Sequence, residues 1–341
     1  NKLMFKKKFK IGKITVPSKN IPIVIAEAGV NHFGNFQKMK KLIDLASDAG
    51  ADIFKTQFFI TDELISSLNK DWYKRMLSKE VNIEFIANAK SYAEKKGLLF
   101  LCTPHDEKSF FLLKKLNLLA YKIGSGEKGN FKFLDLVSKD KKPLIISTGM
   151  HSMNEVESLL NFLSKRKLEK VCILHCISSY PSPLAELNLL NIRTMIEKFK
   201  IPVGYSDHCS SFLPSYIAIS MGACIIEKHI TIDYNIPNAQ DWKVSAGPTN
   251  FKNFVKEVKS INLIIGNAEK KIRKCELPTT KWALKRIISK KDICKNKIIS
   301  INDICLKRID KGIDSSEFNE IIGKKIKKSV KQGYPILKKY F

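Results

Sequence analysis

Short apolar runs rich in β-branched residues recur along the first three quarters of the chain, separated by stretches with helical periodicity. The eight runs span residues 21–26, 51–54, 98–102, 119–121, 143–146, 171–174, 202–205 and 223–226. Helical patterns occupy residues 37–49, 83–96, 107–116, 131–138, 154–164, 187–200, 214–221 and 250–265. Because strands that alternate with helices form a parallel sheet, this pattern predicts an α/β fold, a (β/α)8 TIM barrel.

Almost every run is followed by residues that can take part in chemistry. They are Glu27, Lys55, Gln57, Thr103, Lys122, Ser125, Ser147, His175, Ser206, His208, Glu227 and His229. A closed barrel brings the carboxyl ends of its strands to one face, where barrel enzymes carry their active sites. The connection at residues 58–82 is long and carries Trp72 and Tyr73, and we expect this loop to cover a substrate. The pattern therefore predicts an enzyme.

The periodicity changes near the end of the eighth repeat. We place the barrel at residues 1–268, a linker at 269–278 and a second, small domain at 279–341. In that domain Ile288-Ser-Lys-Lys-Asp-Ile293 is echoed by Ile299-Ser-Ile-Asn-Asp-Ile304. In each copy an Asp follows a Ser by three residues, a spacing that caps a short helical turn from both sides. A domain of this size is expected to dock onto the barrel or onto a partner chain.

The composition is that of a globular protein with a real core, since 44% of the residues are hydrophobic. The apolar runs are too short to span a bilayer, and no apolar leader precedes a cleavage site, so we expect no membrane association. The 8 cysteines form no Cys-x-x-Cys pair, which disfavours a disulfide framework. We therefore expect a cytoplasmic protein.

The formal net charge of +27 raises the question of a nucleic-acid partner. The lysines are spread over helical surfaces and loops, and aromatic residues are not interleaved with them as in a stacking platform. Solvated helix faces account for most of the charge, and the surplus attracts anionic substrates. We expect no nucleic-acid partner.

Two lysines lie inside apolar runs, where barrel closure would bury their ammonium groups. Burial of a charge is unfavourable unless an anion meets it. Lys55 faces the same side of its strand as Gln57. With Thr103, Ser125, Ser147, Ser178 and Ser206, the lysines Lys55 and Lys122 are predicted to form a cage for a phosphorylated, carboxylated substrate. For Lys122 a structural ion pair is the alternative.

Two histidines end the seventh and eighth strands, which are neighbours in a barrel. Ser206 and His208 project the same way, as do Glu227 and His229. Two imidazoles with the carboxylates of Glu227 and Asp207 nearby are predicted to hold one divalent ion, with open positions for substrate or water.

The other candidates are less distinctive. His175 belongs either to the core or to the site, and His105 and His151 are expected in rim loops. Glu27 closes the first strand, where a carboxylate binds sugar hydroxyls or moves a proton. A solvated loop acid is the alternative for Glu27.

Six segments resemble the sialic acid (N-acetylneuraminate) synthase family, and the likeness covers nearly the whole chain. They are Ile25-Ala-Glu-Ala-Gly-Val-Asn-His32, Lys122-Ile-Gly-Ser-Gly-Glu127, Ser147-Thr-Gly-Met150, His175-Cys-Ile-Ser-Ser-Tyr-Pro181, Ser206-Asp-His208 and Gly222-Ala-Cys-Ile-Ile-Glu-Lys-His229. From about Thr279 the chain resembles the family's antifreeze-like (SAF) domain, notably at Lys307-Arg308 and Gly312-Ile313.

The resemblance implies a transferase that joins phosphoenolpyruvate to an open-chain N-acylated hexosamine and releases phosphate by C–O cleavage. The product would be N-acetylneuraminate, or legionaminic or pseudaminic acid. The implied phosphoenolpyruvate ligands are Lys55, Thr103, Lys122, Ser125, Ser147, Ser206 and one of Ser178 or Ser179. His208 and His229 would bind a divalent metal ion, Mn²⁺ first, with Mg²⁺ or Co²⁺ as alternatives.

The same resemblance implies the sugar site and the assembly. Glu27, Gln57, Tyr180 and Asp241 would contact the sugar, and Arg308 would reach the partner subunit's site in a domain-swapped homodimer. Glu27 or Glu227 would move the proton. Ile309-Asp310, Gln240-Asp241-Trp242 and His105 depart from the family's usual residues and leave the exact sugar open.

Two functions of other classes stay open from the sequence. A Schiff-base aldolase would use Lys122 or Lys55 as its nucleophile. A polyanion-binding protein would use the surplus positive charge without catalysis.

Overall fold

The computed structural model describes residues 4–18, 21–236 and 239–341. Its internal contacts divide the chain into two units, Asn1–Gly266 and Asn267–Phe341. Within the described ranges the helices are all too short or too polar to cross a membrane.

The first unit is built around eight parallel strands that follow a short antiparallel hairpin. The hairpin consists of β1 (Phe9–Ile11) and β2 (Ile14–Val16). The parallel strands are β3 (Ile23–Glu27), β4 (Ile53–Phe58), β5 (Leu99–Pro104), β6 (Tyr121–Ile123), β7 (Leu144–Ser147), β8 (Val171–Cys176), β9 (Val203–Asp207) and β10 (Ile225–His229).

The order of the strands closes the sheet into a barrel. Hydrogen bonding follows β5-β4-β3-β10-β9-β8-β7-β6, so the first parallel strand pairs with the last. The two strands at the ends of this order, β5 and β6, come within 8 Å of each other. The predicted TIM barrel is therefore confirmed.

Helices follow each parallel strand, and the longer ones cover the outside of the barrel. In chain order they are α1 (Phe36–Asp48), α2 (Thr61–Leu64), α3 (Lys70–Leu77), α4 (Ile83–Lys95), α5 (Glu107–Lys114), α6 (Phe131–Ser138), α7 (Met153–Lys165), α8 (Leu190–Phe199), α9 (Leu213–Ser220) and α10 (Phe251–Ile265). The main core lies between the helices and the outward-facing strand residues. Asn35, Asn82, Asp106, Asn130 and Ser152 cap five of the helices by accepting a backbone N–H bond.

The segment at residues 58–82 is the main difference from the sequence-based expectation. It is not a simple loop, because it contains the short helices α2 and α3. Both are short enough that a pattern read over longer windows does not detect them. None of the residues of α3 is buried.

The inward-facing side chains change from apolar to polar along the barrel axis. Near the amino ends they form a separate apolar cluster with the hairpin, including Ile23, Ile25, Leu99, Leu101 and Ile225. Near the carboxyl ends the same faces carry Glu27, Thr103, Glu227 and His229, because alternate residues of a strand point the same way. The polar end therefore lies directly above a water-excluding layer.

The second unit has its own small core. It contains α11 (Leu277–Ala283), β11 (Lys285–Ser289), β12 (Ile304–Arg308) and α12 (Phe318–Ile321), and β11 pairs with β12 antiparallel. Its core is made almost wholly of isoleucines, among them Ile287, Ile304 and Ile336.

One of the two predicted capped turns in this unit forms and the other does not. Ser300 and Asp303 make the reciprocal capping contacts. Ser289 instead lies at the end of β11 and donates to the Lys291 carbonyl, and Asp292 accepts from the backbone N–H of Gln332. Strand pairing by Ser289 therefore overrides the capping tendency of the first copy.

Candidate active site

A cavity of about 650 Å³ opens at the carboxyl ends of the barrel strands. It is lined by most of the predicted site residues of the barrel, namely Glu27, Lys55, Gln57, Thr103, Lys122, Ser125, Ser147, Ser178, Tyr180, Ser206, His208, Glu227, His229 and Asp241. The expectation that Asp207 lies beside the metal is wrong, because its carboxylate pairs with Lys228 Nζ at 3.3 Å and is not part of the lining. Arg308 lies on β12 in the second unit, where it is exposed. The predicted residues of the barrel thus meet in one place.

Two lysines and two glutamates form a buried ionic network at the floor of this cavity. Lys55 Nζ lies 2.9 Å from Glu27 Oε2 and 3.6 Å from Glu227 Oε2. Lys122 Nζ lies 3.6 Å from Glu227 Oε1. The register of the strands creates this network, because Lys55 lies directly opposite Glu27, and Glu27 directly opposite His229. The paired charges are what allow two ammonium groups to be buried here.

The network sets the protonation of its members. Burial alone would raise the pKa of Glu227, but Lys122 and Lys55 lower it to about 2. For Lys55 burial acts to lower the pKa, and the carboxylates of Glu227 and Glu27 outweigh it, so the pKa is raised. For Lys122 burial prevails and the pKa is lowered, although Glu227 opposes the shift.

Hydroxyl groups surround the two ammonium groups. Lys122 Nζ donates to Ser147 Oγ at 2.6 Å, and Lys55 Nζ lies 3.3 Å from Thr103 Oγ1. Ser206 Oγ donates to Glu227 Oε1 at 2.9 Å. On the side of β6 and β7 the backbone N–H of Gly149 donates to Ser125 Oγ at 3.0 Å. Cations, hydroxyls and a backbone amide are the groups that bind phosphate and carboxylate oxygens.

The two predicted histidines lie side by side in the wall of the cavity, with ring centroids 5.4 Å apart. His208 Nδ1 lies 2.8 Å from the Ile177 carbonyl, which fixes the proton on that nitrogen. His208 Nε2 is then an acceptor, and the Tyr180 hydroxyl lies 3.0 Å from it. Burial, followed by the charge of His229, lowers the pKa of His208 to about 3, so the ring is neutral.

These histidines fit a metal ion. His229 Nδ1 is buried and has no hydrogen-bond partner among the described residues, and Asp241 Oδ2 lies 3.8 Å away. A neutral imidazole with an available lone pair is the form that binds a metal ion. The described part of the chain holds no cluster of three or more His, Cys, Asp or Glu residues suited to a metal. A metal held here would therefore take most of its ligands from substrate and water.

The sugar-side candidates lie next to these groups. Gln57 Nε2 donates to Glu27 Oε1 at 3.1 Å, and both residues face the cavity. The Tyr180 ring stacks on His208 with centroids 4.1 Å apart. Gly29 has a φ of +51°, and a Cβ there would approach Asp241 Oδ2 to 2.7 Å, so only glycine leaves room for that carboxylate.

His175 and His105, two further histidines near the strand ends, have different surroundings. His175 bonds through Nε2 to the Leu187 carbonyl at 2.7 Å and stacks against Tyr205 outside the cavity, which resolves its two alternatives in favour of packing. His105 lines the cavity, so the expectation of a simple rim position is wrong. The alternation from Thr103 to His105 was the available signal, since both point inward. Burial and then Lys55 and Lys122 lower the pKa of His105 to about 4.

Two further parts of the cavity wall are Cys176, which the sequence did not indicate, and side chains from the segment 58–82, which was expected to cover a substrate. Cys176 follows His175 in β8 and lies 3.8 Å from Ser125 Oγ. Trp72, Arg75, Met76 and Lys79 line the opposite side. Trp72, Arg75 and Met76 have the spacing of one helix face, and Lys79 continues it just beyond the end of α3, but the helix is too short for this pattern to stand out in the sequence.

Comparison with known proteins agrees with this arrangement. A model of the NeuB family matches residues 42–270. The N,N'-diacetyllegionaminic acid synthase of Campylobacter jejuni is 36% identical over 325 residues, which cover 91% of this chain and 97% of the relative. A pseudaminic acid synthase of the same species is 31% identical over 323 residues, covering 91% and 94%.

A solved structure extends the likeness to three dimensions. The N-acetylneuraminic acid (sialic acid) synthetase of Leptospira borgpetersenii matches with a TM-score of 0.74 and 31% identity, covering 80% of this chain and 94% of that chain. The predicted family and the prediction of an enzyme are therefore confirmed. The chain belongs to the NeuB family and is an enzyme of the sialic, legionaminic and pseudaminic acid synthase group.

Proposed function

We propose that this enzyme condenses phosphoenolpyruvate with an open-chain N-acylated hexosamine and releases inorganic phosphate. The observation that carries the proposal is the cavity floor, where two buried ammonium groups and three hydroxyls lie next to the paired imidazoles of His208 and His229. One substrate is a small polyanion and the other an uncharged polyol, and the two halves of the cavity suit these two chemistries.

Lys55, Lys122 and the hydroxyls around them would bind the anionic substrate. Lys122 with Ser147, and Lys55 with Thr103, would bind the carboxylate and phosphate of phosphoenolpyruvate. Ser125, Ser206 and Ser178 or Ser179 would supply further hydrogen bonds. Their fixed positions favour one orientation of the enol, with its C3 carbon directed at the sugar.

The imidazoles of His208 and His229 would hold a divalent ion, for which we propose Mn²⁺. When bound, this ion supplies Lewis-acid polarisation of the sugar aldehyde. Glu27, Gln57, Tyr180 and Asp241 would hold the hydroxyl and acyl groups of the sugar. Attack of the enol C3 carbon on the aldehyde forms the new C–C bond, leaves positive charge at C2, and turns the aldehyde oxygen into a hydroxyl once it takes up a proton. Water adds at C2 with loss of a proton, and the C–O bond to phosphate then breaks as the C2 hydroxyl becomes the keto group.

A carboxylate must remove a proton from the attacking water. Glu27 and Glu227 both border the floor, and the low pKa of Glu227, held at about 2 by the lysines, keeps it ionised. An ionised carboxylate of such low pKa is a weak base, whereas it stabilises the positive charge at C2 well. We therefore assign the proton transfer to Glu27 and the electrostatic role to Glu227.

We also propose the assembly. The second unit is an antifreeze-like (SAF) domain, and Arg308 of one chain completes the sugar site of the other in a domain-swapped homodimer. The described cysteines are all free, which fits a reducing compartment, and we place the enzyme in the cytoplasm.

Phosphate release tests the reaction. The purified protein is incubated with Mn²⁺, phosphoenolpyruvate carrying ¹⁸O in the bridging oxygen, and a panel of N-acetylmannosamine and 2,4-diacetamido-trideoxyhexoses. We expect sugar-dependent release of phosphate that contains the label, since C–O cleavage leaves the bridging oxygen on phosphorus. Failure of every sugar to release phosphate, or retention of the label in the organic product, overturns the proposal.

One observation favours a second candidate, a Schiff-base aldolase. Burial lowers the pKa of Lys122, as a nucleophilic lysine requires. Borohydride trapping of a carbonyl substrate on Lys122 would support it, whereas complete inhibition by a chelator, reversed by Mn²⁺, supports the synthase.

A further inference from the structure

A second buried ion pair lies on the opposite, helix-facing side of β9 and β10, next to His208, which follows β9, and His229, which ends β10. Lys228 and Asp207 are directly opposite each other in the pairing of β10 with β9. Lys228 Nζ lies 3.3 Å from Asp207 Oδ2, and the two side chains are 1% and 0% exposed. These groups point away from the cavity, because they alternate with His229 and His208 along their strands. The proposed reaction does not use them.

The contacts of this pair converge on the residue that follows His208. Lys228 Nζ donates to the Cys209 carbonyl at 2.5 Å, and Asp207 Oδ1 accepts from the Cys209 backbone N–H at 2.8 Å. Both polar groups of the Cys209 backbone are therefore held by side chains. Ser215 Oγ on α9 donates to Asp207 Oδ2 at 2.6 Å and ties the same carboxylate to the helix layer.

These contacts hold the backbone on both sides of His208 and immediately before His229. Asp207 precedes His208 and Cys209 follows it, while Lys228 precedes His229. A shift of either histidine backbone would break a hydrogen bond or separate two buried charges. An apolar pair would make neither of the hydrogen bonds that hold the Cys209 backbone after His208.

We propose that Asp207 and Lys228 are positioning residues, which set the separation and orientation of the His208 and His229 imidazoles from behind the barrel wall. This inference rests on the proposed function, in which those imidazoles hold a metal ion. Partners that orient metal-binding side chains commonly contribute 10–100-fold to metal affinity.

The first experiment compares two single variants, Lys228→Met and Asp207→Leu, with a double variant that carries both. Each single variant leaves one buried charge unpaired, so we expect a lower thermal midpoint and Mn²⁺ affinity reduced at least tenfold by calorimetric titration. The double variant removes both charges, so its thermal midpoint should return toward that of the wild type. Its Mn²⁺ affinity should stay low, because the Cys209 carbonyl and N–H have then both lost their side-chain partners.

The different responses of thermal midpoint and Mn²⁺ affinity in the double variant distinguish positioning from simple stabilisation. A role in stability alone predicts that thermal midpoint and Mn²⁺ affinity recover together in the double variant, and that result would overturn the proposal. Lys259→Met is the matched control, because it removes another lysine of the barrel's outer layer, paired with Asp52 at 2.9 Å and away from the histidines. It should lower the thermal midpoint without changing Mn²⁺ affinity.

A metal-free measurement keeps the inference separate from the proposed function. The ¹⁵N and ¹H imidazole resonances of His208 and His229 should shift in Lys228→Met and in the double variant, but not in Lys259→Met. Unchanged resonances in the double variant would overturn the inference. Absence of Mn²⁺ binding by the wild type, with shifted resonances, would instead overturn the metal site of the proposed function and leave the positioning role supported.

Discussion

Gly149 lies where one added side-chain atom would crowd the predicted anion site. A Cβ at this position would approach Ser125 Oγ to 2.8 Å and would also meet the hydroxyl of Ser178. Its backbone N–H donates to Ser125 Oγ, so a displaced loop would lose that hydrogen bond as well. The glycine is required because backbone and two hydroxyls approach one another closely here, not because of an unusual backbone conformation.

We therefore expect Gly149→Ala to raise the KM for phosphoenolpyruvate about tenfold, the equivalent of one lost hydrogen bond, with little change in the KM for the sugar. Steady-state kinetics with each substrate varied in turn provide the measurement. Gly126→Ala is the control, since this glycine lines the same cavity and its Cβ would meet nothing within 4 Å. Equal KM values for the two variants would contradict the proposed phosphate subsite.

At this scale the sequence predicted which residues face the cavity, but not how they pair. Alternation along a strand was enough to place Lys55 and Lys122 inside the barrel. That Glu227 lies between both ammonium groups depends on the register of β10 against β3 and β9, which one sequence does not reveal. Cys176 and His105 were missed because a buried thiol and a rim histidine each have an ordinary structural explanation.

Helix α3 lies on the surface of the barrel and borders the cavity directly. None of its residues is buried, yet Trp72, Arg75 and Met76 face the cavity from it, and Lys79 follows just beyond its end. Asp241 lies close enough to Lys79 to act on its charge, and Asp241 also lies beside His229. In our proposal the far end of the sugar would therefore meet this helix, in the order from His229 through Asp241 to Lys79.

We expect Trp72→Ala to lower kcat/KM for the sugar by tenfold or more, with the KM for phosphoenolpyruvate unchanged, because it removes apolar contact area from the sugar side alone. Lys74→Ala is the control on the same helix, since Lys74 does not line the cavity. An equal loss of kcat/KM for both substrates, or the same loss for the sugar in Lys74→Ala, would show that α3 does not contact the sugar.

The stability of the second unit has a pH-dependent element at Asp303. Its buried side chain accepts hydrogen bonds from the Ser300 backbone N–H and hydroxyl, each at 2.8 Å, and lies 2.5 Å from Lys297 Nζ. Burial alone would raise the pKa of Asp303, but these hydrogen bonds and the ion pair with Lys297 outweigh it and lower the pKa. A lowered folded-state pKa stabilises the fold above the unfolded value of about 3.9 and loses that effect as the pH falls further.

We therefore expect Asp303→Asn to reduce the free energy of unfolding at neutral pH, with a difference from the wild type that shrinks as the pH falls below about 4. Urea unfolding followed by circular dichroism between pH 3 and 7 measures this. Asp310→Asn, at an exposed position in the same unit, is the control and should behave like the wild type. A difference that is constant with pH would mean that packing, not ionisation, accounts for the loss.

Helices and strands were predictable where a clear periodicity extended over enough residues. The eight strands and the long helices follow the predicted ranges closely, whereas α2 and α3 were read as a loop. The strands also extend one or more residues further than their apolar runs, because β4 continues pairing with β5 through Gln57 and Phe58. Ladder hydrogen bonds do not require apolar side chains, so hydrophobicity alone underestimates strand ends.

At the scale of the whole molecule, the role that we propose for Arg308 depends on the division of the chain into two units. Arg308 and the barrel cavity belong to different units, Asn267–Phe341 and Asn1–Gly266. In our proposal Arg308 serves the partner's cavity, and a closed two-fold dimer gives each cavity one arginine from the other chain. The alternative is that each chain completes its own site. The two cases differ in what a mixed dimer can do.

We expect two inactive variants to restore each other. His229→Gln removes a proposed metal ligand and should abolish turnover with nearly unchanged thermal stability, and Arg308→Ala lacks the proposed arginine. In a mixed dimer the intact arginine of the first chain enters the intact cavity of the second. Equal amounts allowed to exchange subunits should recover about a quarter of wild-type activity, because half the dimers are mixed and each has one complete site.

Phosphate release before and after subunit exchange measures this recovery, with each variant alone as the control. If Arg308 acts within its own chain, no dimer in the mixture contains a complete site, and activity stays at the level of the separate variants.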